Sequence, residues 1–291
     1  MHLAPSTLRG AASAATLTLL AVAVGCAPQP EEKAADKPSA ASCAKGELGT
    51  EVSGKLTIAT DEPAYEPWFK DGKPAGGKGF ESAVAYAVAK RLGYAEADVV
   101  WQSVPFNKAF APGEKTFDFD INQVSISDER KKAVDFSSGY YDVRQAVIAL
   151  KDSKAAKAKS IADLKGVKLG AQVGTTSLNY IDDVVKPTRA PAAYAKNDQA
   201  KSALQNGQVD AIVVDLPTAF YITAAEVTDA TIVGQFENTG GKPEQFGLVL
   251  DKGSPLTSCV SGAVDALRED GTLASIEKQW LSDAVDAPVL K

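Results

Sequence analysis

Four segments of the sequence end in polar side chains suited to a small charged molecule: Thr60-Asp61-Glu62, Gln123-Val124-Ser125, Gly174-Thr175-Thr176 and Asp215. Each closes a run that reads as a strand, and in open α/β sheets ligands sit at the carboxyl ends of strands. Arg130 is the most informative cation. In Ser125-Ile-Ser-Asp-Glu-Arg130 it stands just past a strand end, where a planar guanidinium can hold a carboxylate through two parallel hydrogen bonds. The same spacing also fits a surface arginine paired with Asp128 or Asp135. Other chemistries are poorly served. The only histidine is His2, which lies in a segment expected to be removed, so Ser-His-Asp catalysis and His-ligated zinc are excluded from the mature chain. The run Gly72 to Gly79 fits GxxxxGK but has Gly79 where the Ser or Thr of a phosphate loop belongs, and it follows a turn rather than a strand. Asp118 and Asp120 alternate on a strand and read as supports of the fold. No metal, cofactor or catalytic residue is expected.

The elements that must position these groups follow from patterning. With 291 residues, 45% hydrophobic and 23% charged, the chain has a globular profile and length for about two domains. Acids outnumber bases 37 to 31, which removes the driving force for binding nucleic acid. From Lys55 onward short β-branched runs alternate with helical patterns, the mark of an α/β fold with mostly parallel sheets. Strands are predicted over Lys55–Thr60, Val99–Ser103, Phe119–Ser125, Gln145–Leu150, Val167–Gln172 and Val209–Val214. Helices are predicted over Phe80–Leu92, Asp128–Val134, Thr176–Val185, Asp198–Asn206, Leu216–Glu226, Leu256–Glu269 and Leu273–Leu281.

The amino end reads differently. Ala11 to Val24 is an apolar run preceded by Arg9, too short to span a bilayer, and it reads as the core of a secretory leader. Val24-Gly25-Cys26 resembles the lipobox of bacterial lipoproteins, which implies a leader of residues 1–25 and a lipid on Cys26. Residues 26–50, rich in proline and mixed charge, read as a flexible tether. With Cys26 lipidated, Cys43 and Cys259 remain, either as a disulfide or as two separate thiols. A bridge would close a loop that entropy models value at about 4–5 kcal/mol.

Eight segments, in order, resemble the polar amino-acid substrate-binding proteins of ABC importers, a family 3 solute-binding group with the type II periplasmic-binding fold. They are KLTIATDEPAYEPW (55–68), GFES (79–82), AKRLG (89–93), SISDERKKAVDFSSGYY (125–141), IADLKGVKLGAQVGTT (161–176), ALQNGQVDAIVVDLPTA (203–219), FGLVLDKGSPL (246–256) and LREDGTLASIEKQWL (267–281). The resemblance implies two lobes, each a mostly parallel sheet flanked by helices and joined by a two-strand hinge. Lobe 1 comprises residues 51–142 and 246–291, and lobe 2 residues 143–245, with Gly240-Gly241 in the second crossover. Arg130 is then expected to grip a ligand carboxylate, helped by Ser125, Thr175 and Thr176. Asp215 would accept from the α-ammonium. Tyr65 and Phe106 would sandwich the side chain with Trp68 as wall or support, Asp61 or Glu62 would reach its far end, and Gln123 would offer a backbone carbonyl. Asn122-Gln123 departs from the small residues common in glutamine- and lysine-type members and resembles cystine-binding ones. The implied protein is a monomer that binds a free polar or cystine-like amino acid outside the cytoplasm. It would pass the ligand to a membrane permease and touch the membrane only through its lipid. The rival is an enzyme on the same fold, dehydratase-like, acting on a small carboxylate.

Overall fold

A computed structural model of the chain describes residues 43–238, 242–281 and 287–291. The leader, Cys26, most of the tether and Gly240-Gly241 lie outside the described residues. In chain order the strands and helices are β1 (Leu56–Thr60), α1 (Phe80–Arg91), β2 (Val99–Ser103), α2 (Phe106–Ala109), β3 (Phe119–Asp120), β4 (Val134–Phe136), β5 (Tyr141–Val143) and β6 (Gln145–Leu150). There follow β7 (Leu169–Gln172), α3 (Thr176–Tyr180), β8 (Ala192–Tyr194), α4 (Asn197–Gln205), β9 (Ala211–Asp215), α5 (Leu216–Tyr221) and β10 (Ala230–Phe236). The chain ends with β11 (Glu244–Phe246), β12 (Val249–Asp251), α6 (Thr257–Glu269), α7 (Thr272–Trp280) and β13 (Val289–Leu290).

One sheet has the order β2-β1-β3-β12-β4, the other β13-β10-β6-β9-β7-β8, and β5 pairs with β11 in a two-stranded ribbon between them. The sheets are mixed, and the antiparallel strands have one cause. β6 enters the second sheet directly from the ribbon and runs against β9 and β10. Likewise β12 returns from the ribbon and runs against β3 and β4. The pairs β1–β2, β1–β3, β7–β8, β7–β9 and β10–β13 are parallel. Strands covered on both faces read as continuous apolar runs, as LTIAT and QAVIAL do. The first sheet packs its Leu56 and Ile58 against Phe80, Val84 and Val88 of α1 and Val260 and Val264 of α6. Those positions recur at every fourth residue, which sets a helix face against the sheet. The second sheet is covered by separate apolar clusters, with Ile148 and Ile212 in one and Val147 and Val213 in the other, as alternation along β6 and β9 requires.

Several expectations need correction. The strand expected over 119–125 stops at Asp120, because Gln123 takes a left-handed backbone (φ 50°) that cannot extend the ladder. The helix expected over 128–134 is a single 3-10 turn, Arg130–Lys132, followed by β4. Residues 246–291 do not all return to the first sheet, since β13 pairs with β10 of the second. The tether ends earlier than residue 50: Leu48 is buried with Cys43 against the first core, and the Glu51 amide donates to Asp118.

Cys43 and Cys259 form a disulfide with Cα atoms 5.4 Å apart and a sequence separation of 216. Closing a loop of that length is worth about 5 kcal/mol in the chain-entropy model. Replacing both cysteines by serine is therefore expected to lower the unfolding free energy by several kcal/mol, read as a lower denaturant midpoint, with a steeper slope because the uncrosslinked unfolded chain exposes more surface.

Candidate functional site

A narrow pocket lies between the two sheets. From the first sheet and its loops Asp61, Tyr65, Phe106, Gln123, Ser125 and Arg130 line it, and from the second Thr175, Thr176 and Asp215. Two other expected site residues do not. Glu62 points to solvent, and its carbonyl accepts from Lys196 across the cleft. Trp68 is fully buried, edge-on to Phe80, Tyr141 and Phe246, and its indole N–H donates to the Thr218 hydroxyl at 2.9 Å. It is a strut between the halves rather than a wall of the cavity.

Arg130 is only 9% exposed. Its Nη1 donates to the Ser125 carbonyl at 2.6 Å and its Nη2 crosses the cleft to the Gly174 carbonyl at 2.8 Å. The guanidinium lies 4.3 Å from the Phe110 ring centre and 5.8 Å from that of Phe106. Among the described residues it makes no ion pair, and burial pulls its pKa down to about 10 despite the nearby acids Glu244 and Asp215. A buried guanidinium with N–H groups to spare is chemically suited to receive an anion.

Asp215 ends β9 and receives an N–H from Gln145 Nε2 at 2.7 Å. Burial, then the charge of Glu244, pushes its pKa up to about 8. Asp61 holds a different position: its carboxylate accepts the Glu62 amide at 2.7 Å and the Phe106 amide at 3.2 Å. The Thr175 hydroxyl caps α3 by accepting from the Leu178 amide. The Ser125 hydroxyl donates to Glu244 at 2.6 Å and lies 3.3 Å from that of Thr176. Gln123 is tied back to Glu81, its amide donating at 2.7 Å and its side chain reaching the second carboxylate oxygen.

Asn122, which the sequence reading had only as a change in the pocket floor, also lines the cavity, as do Gln172, Ser177 and Asn197, which that reading missed. Gln172 ends β7, so the strand-end rule covers it. Asn197 follows β8, whose three residues carry no strand signal. Gln145 and Glu244 were missed for a different reason. Gln145 opens β6, and because that strand is antiparallel to β9 its first residue sits opposite Asp215. The described residues contain no cluster of three or more His, Cys, Asp or Glu able to hold a metal, and no helix long and apolar enough to cross a membrane.

Comparison with known proteins agrees with this geometry. The chain is 32% identical to the L-cystine-binding protein TcyA of Bacillus subtilis over 259 residues, 86% of this chain and 90% of the relative. It superposes on an ancestral arginine-binding protein bound to arginine with a TM-score of 0.66 and 31% identity, covering 78% of this chain and 98% of the other. An ancestral amino acid-binding protein described as a precursor of cyclohexadienyl dehydratase matches with a TM-score of 0.64 and 30% identity, over 78% and 95% of the two chains. Residues 56–283 match the model of the bacterial extracellular solute-binding proteins, family 3. The two-lobed α/β fold expected from the sequence is thus the observed one, and the chain belongs to that family of extracellular solute-binding proteins.

Proposed function

We propose that this protein captures a free amino acid outside the cytoplasm and delivers it to the membrane permease of an ABC importer, tethered through a lipid on Cys26. The observation that carries the reading is that Arg130 and Asp215 reach one cavity from opposite sheets. A zwitterion would be gripped at its carboxylate by Arg130, Ser125 and Thr176 and at its ammonium by Asp215. Tyr65 and Phe106 would flank its side chain, and Asp61 would meet the far end. Because the two poles are held by different halves, full contact requires closure. A micromolar ligand needs about 8 kcal/mol net, within reach of two charge-assisted bonds and aromatic burial. Relatives named for cystine and for arginine support an amino-acid ligand. A thermal-shift screen of the standard amino acids and cystine on residues 27–291, followed by calorimetry, tests this. Stabilisation by none of them would end the reading.

The rival reading is an enzyme on this fold, favoured by one observation: Asp215, which lines the cavity, shares the Gln145 amide nitrogen with a second acid, Glu244. Incubation of each stabilising amino acid with the protein decides it, since a binding protein returns the ligand unchanged.

Closure gives a further prediction. Gly174 has φ +80°, and a Cβ there would lie 2.1 Å from Asn107 Oδ1 of the opposite half. Gly174→Ala should weaken ligand binding about tenfold or more by combining backbone strain with that clash. Small-angle scattering should show less compaction on ligand addition than in the parent protein.

A further inference from the structure

Glu244 was not among the expected site residues, yet it touches the groups that are. It opens β11, the returning strand of the hinge ribbon. Its Oε1 accepts from the Ser125 hydroxyl at 2.6 Å, and both its oxygens lie 3.4 Å from Gln145 Nε2. The same nitrogen donates to Asp215 Oδ1 at 2.7 Å. On its other side the Gln145 amide accepts at Oε1 from the Ser177 hydroxyl at 2.6 Å. Two carboxyl groups therefore share one amide nitrogen at a fully buried glutamine.

The charges around the pair do not balance it. Arg130 faces both acids but bonds to the carbonyls of Ser125 and Gly174. Glu81 of α1 faces Asp215, as do Tyr140 and Tyr141 beside the ribbon, and burial holds those two phenols un-ionised. The immediate surroundings thus contain one cation against three acids. Two carboxylates in one desolvated site do not both ionise when a single, otherwise engaged cation is at hand.

We propose that Glu244 is a positioning residue that makes ligand capture proton-linked: beside Glu244 the empty cleft stores one proton on Asp215, and seating a ligand ammonium on Asp215 expels it. This rests on the amino-acid reading above. In the step a neutral Asp215 carboxyl meets R–NH3+, its O–H bond breaks, the carboxylate accepts from the ammonium, and H+ leaves to solvent. Protons and charge balance without any co-reactant. The upward shift of Asp215 to about 8, with Glu244 as its second cause after burial, agrees with storage at neutral pH.

The test has two arms, on the parent protein and on Glu244→Gln, which keeps the shape and an acceptor for Ser125 but removes the charge. In the first arm, carbon-13 NMR of labelled carboxyl groups follows Asp215 without ligand, its resonance assigned by loss in Asp215→Asn. Titration near pH 8 is expected in the parent, and at least one pH unit lower in Glu244→Gln. In the second, calorimetry at pH 7 in buffers of different ionisation enthalpy counts protons released on binding the amino acid found by the screen. About one is expected for the parent, with affinity rising close to tenfold per pH unit between pH 6 and 7 and levelling above pH 8. Glu244→Gln should release less than half as many and show a flattened pH profile. A Glu244 that merely supported the fold would change affinity equally at every pH. Asp215 titrating below pH 6 in the parent, ligand binding with no proton exchanged, or equal release by both proteins would each overturn the proposal. Failure of every amino acid to bind would overturn the functional reading instead, and the NMR arm would still decide proton storage.

Discussion

Arg130→Ala is expected to cost at least a hundredfold in amino-acid affinity while the protein stays folded. Removing one partner of a buried, hydrogen-bonded charge pair typically costs about 2–5 kcal/mol, or between one and four orders of magnitude. Two features put Arg130 in the upper part of that range. Its guanidinium is packed over Phe110 and pointed by the Ser125 carbonyl, so the fork is already oriented before a carboxylate arrives. It also supplies the hydrogen bond to Gly174 across the cleft, so alanine would remove a contact that holds the halves together as well as the anion grip. The fold itself draws little from this side chain, whose partners are a carbonyl of its own loop and one across the cleft. Arg130→Lys separates charge from geometry: it keeps the cation, loses the fork, and should fall between the parent and alanine. Calorimetric affinity with a parallel melting curve checks both variants, and an alanine variant with parent-like affinity would remove the carboxylate role.

How far this site could be read from the sequence depends on which contacts are local. Arg130 and Ser125 lie five residues apart and are joined by a hydrogen bond within one loop, so their motif announces them. Asp215 ends β9 and Thr175 and Thr176 open the helix just past β7; both strands have plain apolar runs, and their parallel packing carries those ends to one edge. Gln145 and Glu244 gave no such signal. Their partners lie 70 and 119 residues away, at Asp215 and Ser125, and they meet only because the chain crosses between sheets through the β5–β11 ribbon. Those strands have three residues each, too few for any periodicity to show. For Trp68 the sequence left wall and support open, and the structure makes it a support. An aromatic two turns after a strand end suggests a ligand wall, but its contact with Thr218 spans 150 residues, and no local pattern foretells it.

The second large effect concerns Glu81, and its direction is contrary to most globular proteins. Glu81 is fully buried on α1, where the Gln123 amide, the Gln123 side chain and the Tyr140 hydroxyl all donate to it. These donors favour the ionised form, but burial outweighs them and raises its pKa to about 7, against 4.5 for the unperturbed group. Below pH 4.5 the group is protonated in both folded and unfolded chains, and its contribution is complete. As pH climbs from 4.5 to 7 the unfolded chain gives up its proton first, so the folded state loses about 3 kcal/mol of relative stability over that window. Asp215 acts in the same sense up to about 8, and so does the buried Asp120, whose pKa burial also raises. Asp98, Asp135 and Asp163 are shifted down by their partners, and what they add is lost only as pH falls below the ordinary carboxylate range. The ligand-free protein should therefore be more stable at pH 5 than at pH 8, by several kcal/mol in denaturant titrations. Glu81→Gln keeps an acceptor for the Gln123 amide, and the Gln123 side chain can turn over to meet its new donor. That variant should lose about 3 kcal/mol of the pH 5 to 8 difference, chiefly by gaining stability at pH 8. A parent protein whose stability is level or rising across this range would show that Glu81 is ionised in the fold, and that its three donors outweigh its burial.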